Sequence, residues 1–301
     1  MSGLVGVIMG GPSAERAVSL RSGERVCQAL RSLGHLVVPI DWTGPEHNLW
    51  ACLRTERIAV AFLALHGTFG EDGCVQGLLE CCRIPYTGSS VLASALAMDK
   101  VAARRVFEQE QIESPRWCVY RGAADRLRIG LPMVVKPSRE GSSVGISIVH
   151  EDDQFAAALA EASRQHGTVL LEEYVRGREI QVAVLDGTVL GEVEIKTTAG
   201  FYDYAAKYER SDTSYLVPAP LTPAERQLCH DLARRAHQAL GCSGVTRTDL
   251  ILAPGGRAVC LEVDTLPGLT ERSLVPMIAA AGGLDFPSLC QRLLDGAALK
   301  A

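Results

Sequence analysis

The sequence predicts an α/β protein of more than one domain, and three observations support this fold class. Apolar runs of strand length alternate with segments of helical spacing, the pattern of a sheet covered by helices. The chain has 301 residues, whereas a single hydrophobic core usually stops growing near about 250 to 300 residues. Hydrophobic residues make up 47% of the chain and aromatic residues only 5%, a balance typical of helix-rich α/β proteins.

The first predicted domain, residues 1–95, is an α/β unit with a parallel sheet. Its first strand ends at Gly10-Gly11, and a helix with apolar residues at Val18, Val26 and Leu30 follows. Strand and helix continue to alternate, which favours parallel pairing. The strands are predicted at residues 4–9, 37–40 and 58–65, and the helices at residues 14–30 and 75–82.

The second predicted domain, residues 96–178, is a small α+β unit. A single Ala-rich helix is predicted to run from residue 91 through Met98 and Phe107, because no breaker interrupts it before Pro115. A loop of glycine and serine follows the strand that ends at Pro137. The strands are predicted at residues 133–137, 146–149 and 169–172, with a helix before the last of them.

The third predicted domain, residues 179–301, is again α/β. A polar loop with several tyrosines separates its first two strands from a long helix, and a helical region closes the chain after Leu266-Pro267-Gly268. The strands are predicted at residues 180–185, 189–196, 245–252 and 258–263, the loop at 197–216 and the helix at 225–240.

Charge and composition exclude several functional classes. Lys and Arg total 30 against 35 Asp and Glu, for a formal net charge of −5, and no basic tract suits a nucleic acid. No apolar run approaches the roughly 18 to 20 residues of a membrane helix, and the start lacks a secretory leader. A cytoplasmic protein is therefore expected. The ten cysteines lie in apolar segments without paired CxxC motifs, which indicates buried thiols.

Charged residues lie within two otherwise apolar strands near the C-terminus. Side chains alternate across a strand, so Arg247 and Asp249 share one face, and Glu262 and Asp264 share one face of the next strand. Buried charges need partners or a metal, and oxygen-only ligands favour Mg²⁺ with substrate phosphates. A structural salt bridge is the alternative.

The segment at residues 134–145 combines a lysine with a small-residue loop. Lys136 ends a buried strand, and Gly141, Ser142, Ser143 and Gly145 follow it. Small residues allow backbone N–H groups to approach phosphates closely. The spacing is not that of a Walker loop, and an ordinary turn is the alternative.

Motifs along nearly the whole chain resemble the D-alanine–D-alanine ligases of the ATP-grasp superfamily. This resemblance implies an ATP-grasp fold, in which a central lid domain closes on a C-terminal catalytic domain. The matching stretches are residues 10–16 (GGPSAER), 64–67 (ALHG), 70–73 (GEDG), 85–88 (PYTG), 97–100 (AMDK), 135–145, 201–204 (FYDY), 206–208 (AKY), 267–270 (PGLT) and 273–276 (SLVP).

The resemblance implies a nucleotide site between the central and C-terminal domains. It assigns two lysines to the phosphates, a segment whose backbone faces the adenine, and a glutamate to the ribose. Each lysine taken alone is more often a solvated surface residue. The implied nucleotide residues are Lys100, Lys136, Ser142, Ser143, Glu172, Glu173, Val175, Glu179 and Lys207, and the implied metal ligands are Asp249, Glu262 and Asp264.

The resemblance also implies two amino-acid sites. Glu15 would hold the ammonium of the first D-alanine, with Ser142 and Tyr208 bonded to it and His66 beside it. Arg247 and the N–H of Gly268 would stabilise an oxyanion. The carboxylate of the second D-alanine would contact Lys207, Ser273 and the N–H of Leu274. Simpler alternatives are a helix N-terminal charge for Glu15, a core histidine for His66, and loop aromatics for Tyr202, Tyr204 and Tyr208.

The implied reaction is ATP-dependent ligation of two D-alanines through a D-alanyl phosphate, for peptidoglycan precursor synthesis. The expected cofactors are ATP and two Mg²⁺ ions, with Mn²⁺ as an alternative, and a homodimer is expected. The chief departure is Asp264, where the family usually has an asparagine ligand. Its added negative charge predicts a steeper Mg²⁺ requirement.

Three other functions remain open from the sequence. One is a related ligase that joins D-alanine to D-lactate or D-serine, or another ATP-grasp peptide ligase. Another, suggested by Asp264, is a nucleotide-binding protein that has lost catalysis. A dinucleotide-dependent oxidoreductase is disfavoured because residues 6–11 lack the GxGxxG spacing.

Overall fold

The strands of the protein form three separate sheets. The computed structural model describes residues 3–141, 144–165, 167–196 and 213–300. Within these residues there are a three-stranded, a four-stranded and a five-stranded sheet. The three-stranded sheet lies within residues 1–95, the four-stranded sheet lies within residues 96–178, and the five-stranded sheet begins at Arg178.

The N-terminal sheet is parallel, which confirms the prediction. Its order is β2-β1-β3, so β1 has a neighbour on each side, and all six residues of β1 are buried. A parallel sheet covered by helices requires such continuous apolar strands. The elements are β1 (Val5–Gly10), α1 (Arg16–Ser32), β2 (Val37–Trp42), α2 (Leu49–Thr55), β3 (Val60–Leu63) and α3 (Cys74–Cys82).

Two helices connect this sheet to the next, and the prediction of one continuous helix is wrong. Helix α4 (Val91–Met98) ends at Asp99, and α5 (Lys100–Gln109) begins directly after it. Asp99 is extended, with φ −88° and ψ 101°, and its side chain accepts hydrogen bonds from the N–H groups of Val101 and Ala102. The capping carboxylate therefore starts a new helix where Ala-rich composition favoured continuation.

The central sheet is antiparallel in the order β4-β7-β5-β6. Helix α7 packs on it, with Phe155, Ala158 and Ala162 buried against Met133 and Val135. The elements are β4 (Trp117–Val119), α6 (Ala123–Ile129), β5 (Met133–Pro137), β6 (Ser147–Val149), α7 (Phe155–Ser163) and β7 (Val169–Glu173).

The C-terminal sheet is antiparallel in the order β10-β9-β8-β11-β12. Its long helix α8 begins with a capping box between Thr222 and Glu225 and has proline in its first turn. The elements are β8 (Arg178–Leu185), β9 (Thr188–Lys196), β10 (Ser214–Leu216), α8 (Pro223–Ala239), β11 (Val245–Ala253), β12 (Arg257–Asp264), α9 (Leu274–Ala281) and α10 (Phe286–Asp295).

The N-terminal and C-terminal sheets share one hydrophobic core. Val7 and Phe62 of the first sheet belong to the same buried cluster as Ile195, Val275 and Leu289 of the C-terminal part. The N–H of Leu269 also donates to Oγ of Ser22 at 3.1 Å, which ties α1 to the segment after β12. The predicted boundary near residue 95 stays a prediction. Among the described residues, no helix has the length and apolarity needed to cross a bilayer.

Candidate active site

A cavity of about 280 Å³ lies where the three sheets meet, and it collects much of the predicted site. Loops after β1 and β3, the start of α5, the glycine loop after β5 and the ends of β11 and β12 contribute to its wall. The predicted site residues that line it are Glu15, His66, Lys100, Arg247, Glu262, Asp264, Gly268, Ser273 and Leu274.

The charged strands β11 and β12 are paired as the alternation of side chains predicted. Asp249 lies opposite Glu262, and Arg247 lies opposite Asp264. Arg247 donates from Nε and Nη2 to the two oxygens of Asp249 at 2.7 and 3.0 Å, and from Nη1 to Oδ2 of Asp264 at 2.8 Å. Burial disfavours its charged form, but the two aspartates outweigh burial and raise the pKa of Arg247.

Lys100 joins β12 to the glycine loop. Its Nζ lies 3.0 Å from Oε2 of Glu262 and donates to the carbonyl oxygen of Glu140 at 2.7 Å. The side chain is buried, although Lys100 is the first residue of α5. A lysine buried between a carboxylate and a loop has a defined position, unlike a solvated surface lysine.

The acidic side chains supply the oxygen donors that Mg²⁺ prefers. Asp249, Glu262 and Asp264 come from two neighbouring strands, and their donors are carboxylates alone. Within the described part of the chain, no three His, Cys, Asp or Glu side chains are gathered closely enough to hold an ion. Arg247 and Lys100 pair with these carboxylates, so metal binding here requires the two cations to give up some of their contacts.

Glu15 lies at the N-terminus of α1, close to the glycine loop. A Cβ atom added at Gly67 or Gly141 would lie 3.4 or 3.3 Å from Oε2 of Glu15. The two glycines therefore allow the backbone to approach this carboxylate closely. The N–H of Glu15 donates to Oγ of Ser13 at 3.2 Å, which fixes the turn before the helix.

Glu71 is a buried neighbour of His66 to which the sequence analysis gave no role. Its Oε1 accepts from the N–H of Gly67 at 2.6 Å and lies 3.7 Å from Nδ1 of His66. Burial and the charge of Asp264 raise the pKa of Glu71 to about 7, although His66 opposes the shift. Burial lowers the pKa of His66, but Glu71 outweighs burial and raises it. The GEDG motif contained Glu71, yet its burial depends on tertiary packing.

Two buried polar atoms of the cavity lining have no hydrogen-bond partner among the described residues. They are Nε2 of His66 and Oε1 of Gln181. A buried polar atom without a partner is costly, so such atoms commonly bind a ligand or water. The cavity therefore offers two polar atoms to which a polar ligand can bind.

The start of α9 forms another part of the wall. Ser273 precedes the helix, and its Oγ accepts from the N–H of Thr270 at 2.9 Å. Leu274 and Val275, the first helical residues, also line the cavity. A Cβ at Gly268 would lie 2.8 Å from Oγ of Ser273, so a larger residue at this position would displace that hydroxyl group. Helix N-terminal N–H groups favour anions such as carboxylates.

Lys136 and Glu172 form a buried ion pair beside the cavity. Nζ of Lys136 lies 2.6 Å from Oε2 of Glu172, and Arg104 donates twice to Oε1 of the same carboxylate at 2.9 and 2.7 Å. Burial raises the pKa of Glu172, but Arg104 and Lys136 outweigh burial and lower it. Burial, aided by Arg104 and Lys100, lowers the pKa of Lys136 despite Glu172. The sequence analysis missed Arg104 because nothing local marks it as buried.

The other predicted nucleotide residues lie outside this ion pair. Glu173 lies 3.0 Å from Nε of Arg116 and 3.3 Å from Nη1 of Arg257. Glu179 lies on β8, and Val175 follows β7 in a half-buried position. Ser142, Ser143, Lys207 and Tyr208, with Tyr202 and Tyr204, lie outside the described residues.

The comparisons with known proteins agree with this geometry. Residues 49–89 match the family model of the D-ala D-ala ligase N-terminus, and residues 101–295 match that of the C-terminus. A curated D-alanine--D-alanine ligase of Anaeromyxobacter sp. (strain Fw109-5) is 52% identical, over 99% of this chain and 97% of its own. That of Syntrophotalea carbinolica is 47% identical, over 98% of this chain and 96% of its own.

Two solved structures are similar to this chain in fold as well as in sequence. The crystal structure of a D-alanine--D-alanine ligase from Bacillus anthracis has a TM-score of 0.87 and 34% identity, and the match covers 98% of this chain and 97% of that one. A second crystal structure of a D-alanine--D-alanine ligase from Bacillus anthracis, complexed with ATP, has a TM-score of 0.85, 31% identity and the same coverage. The fold is therefore that of an ATP-grasp ligase. The chain belongs to the D-alanine–D-alanine ligase family.

Proposed function

We propose that this protein joins two D-alanine molecules into D-alanyl-D-alanine and converts ATP to ADP and phosphate, for the synthesis of peptidoglycan precursors. The observation that carries the proposal is the single cavity that brings Glu15, Lys100, Arg247 and Ser273 together from distant parts of the chain. Family membership over nearly the whole length supports it.

Activation of a carboxylate is the first chemical requirement. A free carboxylate has no leaving group, so its oxygen must first attack the γ-phosphoryl group of ATP to give an acyl phosphate. The carboxylate of Glu15 holds the ammonium group of this first D-alanine. Lys100 and Lys136 contact the phosphates, and their positive charges offset the charge on the transferred group.

Amide formation is the second step. The amine of the second D-alanine attacks the acyl carbonyl, phosphate leaves, and a tetrahedral oxyanion forms on the way. Arg247 and the N–H of Gly268 stabilise this oxyanion. The N-terminus of α9, at Ser273 and Leu274, holds the carboxylate of the second D-alanine. The family resemblance assigns Ser142, Lys207 and Tyr208 to these sites as well, and all three lie outside the described residues.

Asp249, Glu262 and Asp264 would hold two Mg²⁺ ions, or Mn²⁺ in their place. Bound there, the ions would supply positive charge to offset the negative charge of the phosphate oxygens. The backbone around Glu172, Glu173 and Val175 faces the adenine, and Glu179 the ribose. The enzyme works in the cytoplasm, where ATP is available, and as a homodimer, which sedimentation of the purified protein tests.

The test is ADP release by purified protein supplied with ATP and Mg²⁺. D-alanine should support turnover, whereas L-alanine and a mixture without amino acid should not. Mixtures of D-alanine with D-lactate or D-serine, analysed by mass spectrometry, distinguish the dipeptide from a depsipeptide or a mixed dipeptide. Absence of D-alanyl-D-alanine in the first mixture would refute the proposal.

A further inference from the structure

Arg104 is the largest fully buried side chain of the described residues that carries a charge. Its guanidinium makes three hydrogen bonds: Nε and Nη2 donate to Oε1 of Glu172, and Nη1 donates to the carbonyl oxygen of Cys260 at 2.8 Å. Arg104 lies on α5, Glu172 on β7 and Cys260 on β12. One side chain therefore ties the central sheet to the strand that carries Glu262.

The two oxygens of Glu172 are divided between two cations. Arg104 donates only to Oε1, and Lys136 pairs with Oε2. These three residues, Arg104, Glu172 and Lys136, are called the Arg104 cluster below. With two cations and one anion, the cluster has one positive charge in excess, and all three side chains are buried.

An excess charge in a buried site is costly unless an ion of opposite sign compensates it. The lowered pKa of Lys136 reflects this, because the charge of Arg104 adds to the effect of burial. Without Arg104, Lys136 and Glu172 would form a neutral pair with little attraction for phosphate. With Arg104, the lysine stays attractive to an anion.

We propose that Arg104 is a positioning residue of the nucleotide site, which neutralises Glu172 so that the charge of Lys136 acts on the phosphates of the bound nucleotide. Arg104 does not touch the nucleotide; it acts through Glu172 and holds the backbone of β12 at Cys260. This inference rests on the proposed function in that it takes the ligand to be an adenine nucleotide.

Removal of the charge tests the inference by calorimetry with two probes, ADP and adenosine, at fixed Mg²⁺. Arg104→Met should weaken ADP binding about tenfold, or about 1.4 kcal/mol, and leave adenosine binding within about twofold, because only ADP carries the phosphates that the charge attracts. Arg104→Lys, which keeps the charge, should recover part of the ADP affinity. Equal weakening of both probes would mean a merely structural role and overturn the inference.

A second variant separates charge from folding. In Arg104→Met with Glu172→Gln, the cluster regains one excess positive charge, so ADP should bind within about threefold of the wild type. If the double variant binds ADP as weakly as Arg104→Met, the charge argument is wrong. Arg226→Met is the control, because Arg226 pairs with the buried Glu192 at 2.9 Å and neither residue belongs to the Arg104 cluster. It should leave both affinities unchanged.

The proposed ligase activity can fail without this inference. If the wild type binds ADP but releases no ADP from ATP with D-alanine, the proposed function fails, and the comparison of ADP with adenosine still decides the role of Arg104. If the wild type binds ADP no better than adenosine, the inference fails, whatever the turnover.

Discussion

Asp264→Asn tests how the protein balances the negative charge of Asp264. Asp264 accepts from Nη1 of Arg247 through Oδ2 and from the N–H of Leu266 at 3.0 Å through Oδ1. Arg247 also pairs with Asp249, so Arg247, Asp249 and Asp264 together carry one excess negative charge. The substitution makes the trio neutral and keeps an oxygen acceptor.

Asp264→Asn is expected to weaken Mg²⁺ binding and to make the dependence of ADP release on Mg²⁺ concentration less steep. A charged hydrogen-bond partner or ligand contributes roughly twice as much as a neutral one. We therefore expect Asp264→Asn to cost about 1 kcal/mol of Mg²⁺ binding, or about a fivefold higher half-saturating concentration. The measurement is ADP release against free Mg²⁺ at saturating ATP and D-alanine, together with the Mg²⁺-dependent rise in Tm.

A matched control removes the same charge elsewhere. Asp285 caps α10 by accepting from the N–H of Ser288 at 2.8 Å, and asparagine caps as well as aspartate. Asp285→Asn should leave the Mg²⁺ titration unchanged. If wild type and Asp264→Asn give the same titration, Asp264 does not set the metal requirement and the reasoning is refuted.

Three further predictions concern the pH response, a helix cap and the wall of the cavity. Because the pKa of Glu71 is raised, the folded state keeps a proton that the unfolded chain releases, so the free energy of unfolding should fall as pH rises from about 4.5 to about 7. Glu71→Gln should flatten this fall in thermal unfolding measured against pH. An unchanged slope of stability against pH would contradict the prediction. Asp99→Ala should lower Tm by about 2 to 4 °C through loss of the α5 cap, whereas Asp99→Asn should not. Gly268→Ala should raise the KM for D-alanine because its Cβ displaces Ser273, while the KM for ATP stays constant.

Regular strands of the protein were predictable because their signal is local. The alternation in β11 and β12 placed Arg247 and Asp249 on one face, and the structure confirms that arrangement. Short elements carry too few residues for a periodic pattern, and the sequence analysis missed them. They are α2, α6, β4 and β10.

The break between α4 and α5 could have been found from the sequence. Asp99 is a favoured N-cap residue, but the Ala-rich composition around it outweighed that cue in the prediction. The Arg104 cluster was beyond local reasoning. Arg104 and Glu172 are 68 positions apart, and no spacing rule links a residue on a helix to one on a distant strand.

Two neighbouring groups of residues carry opposite charge excesses, one at the cavity and one beside it. The three acidic residues Asp249, Glu262 and Asp264 exceed their partners Arg247 and Lys100 by one negative charge. The Arg104 cluster exceeds neutrality by one positive charge. We expect the first group to attract a divalent cation and the second group to attract polyphosphate, so that together they would orient a metal-bound nucleotide. Loss of either charge excess should weaken binding of the metal–nucleotide complex more than binding of adenosine, because adenosine carries neither the metal nor the phosphate charge.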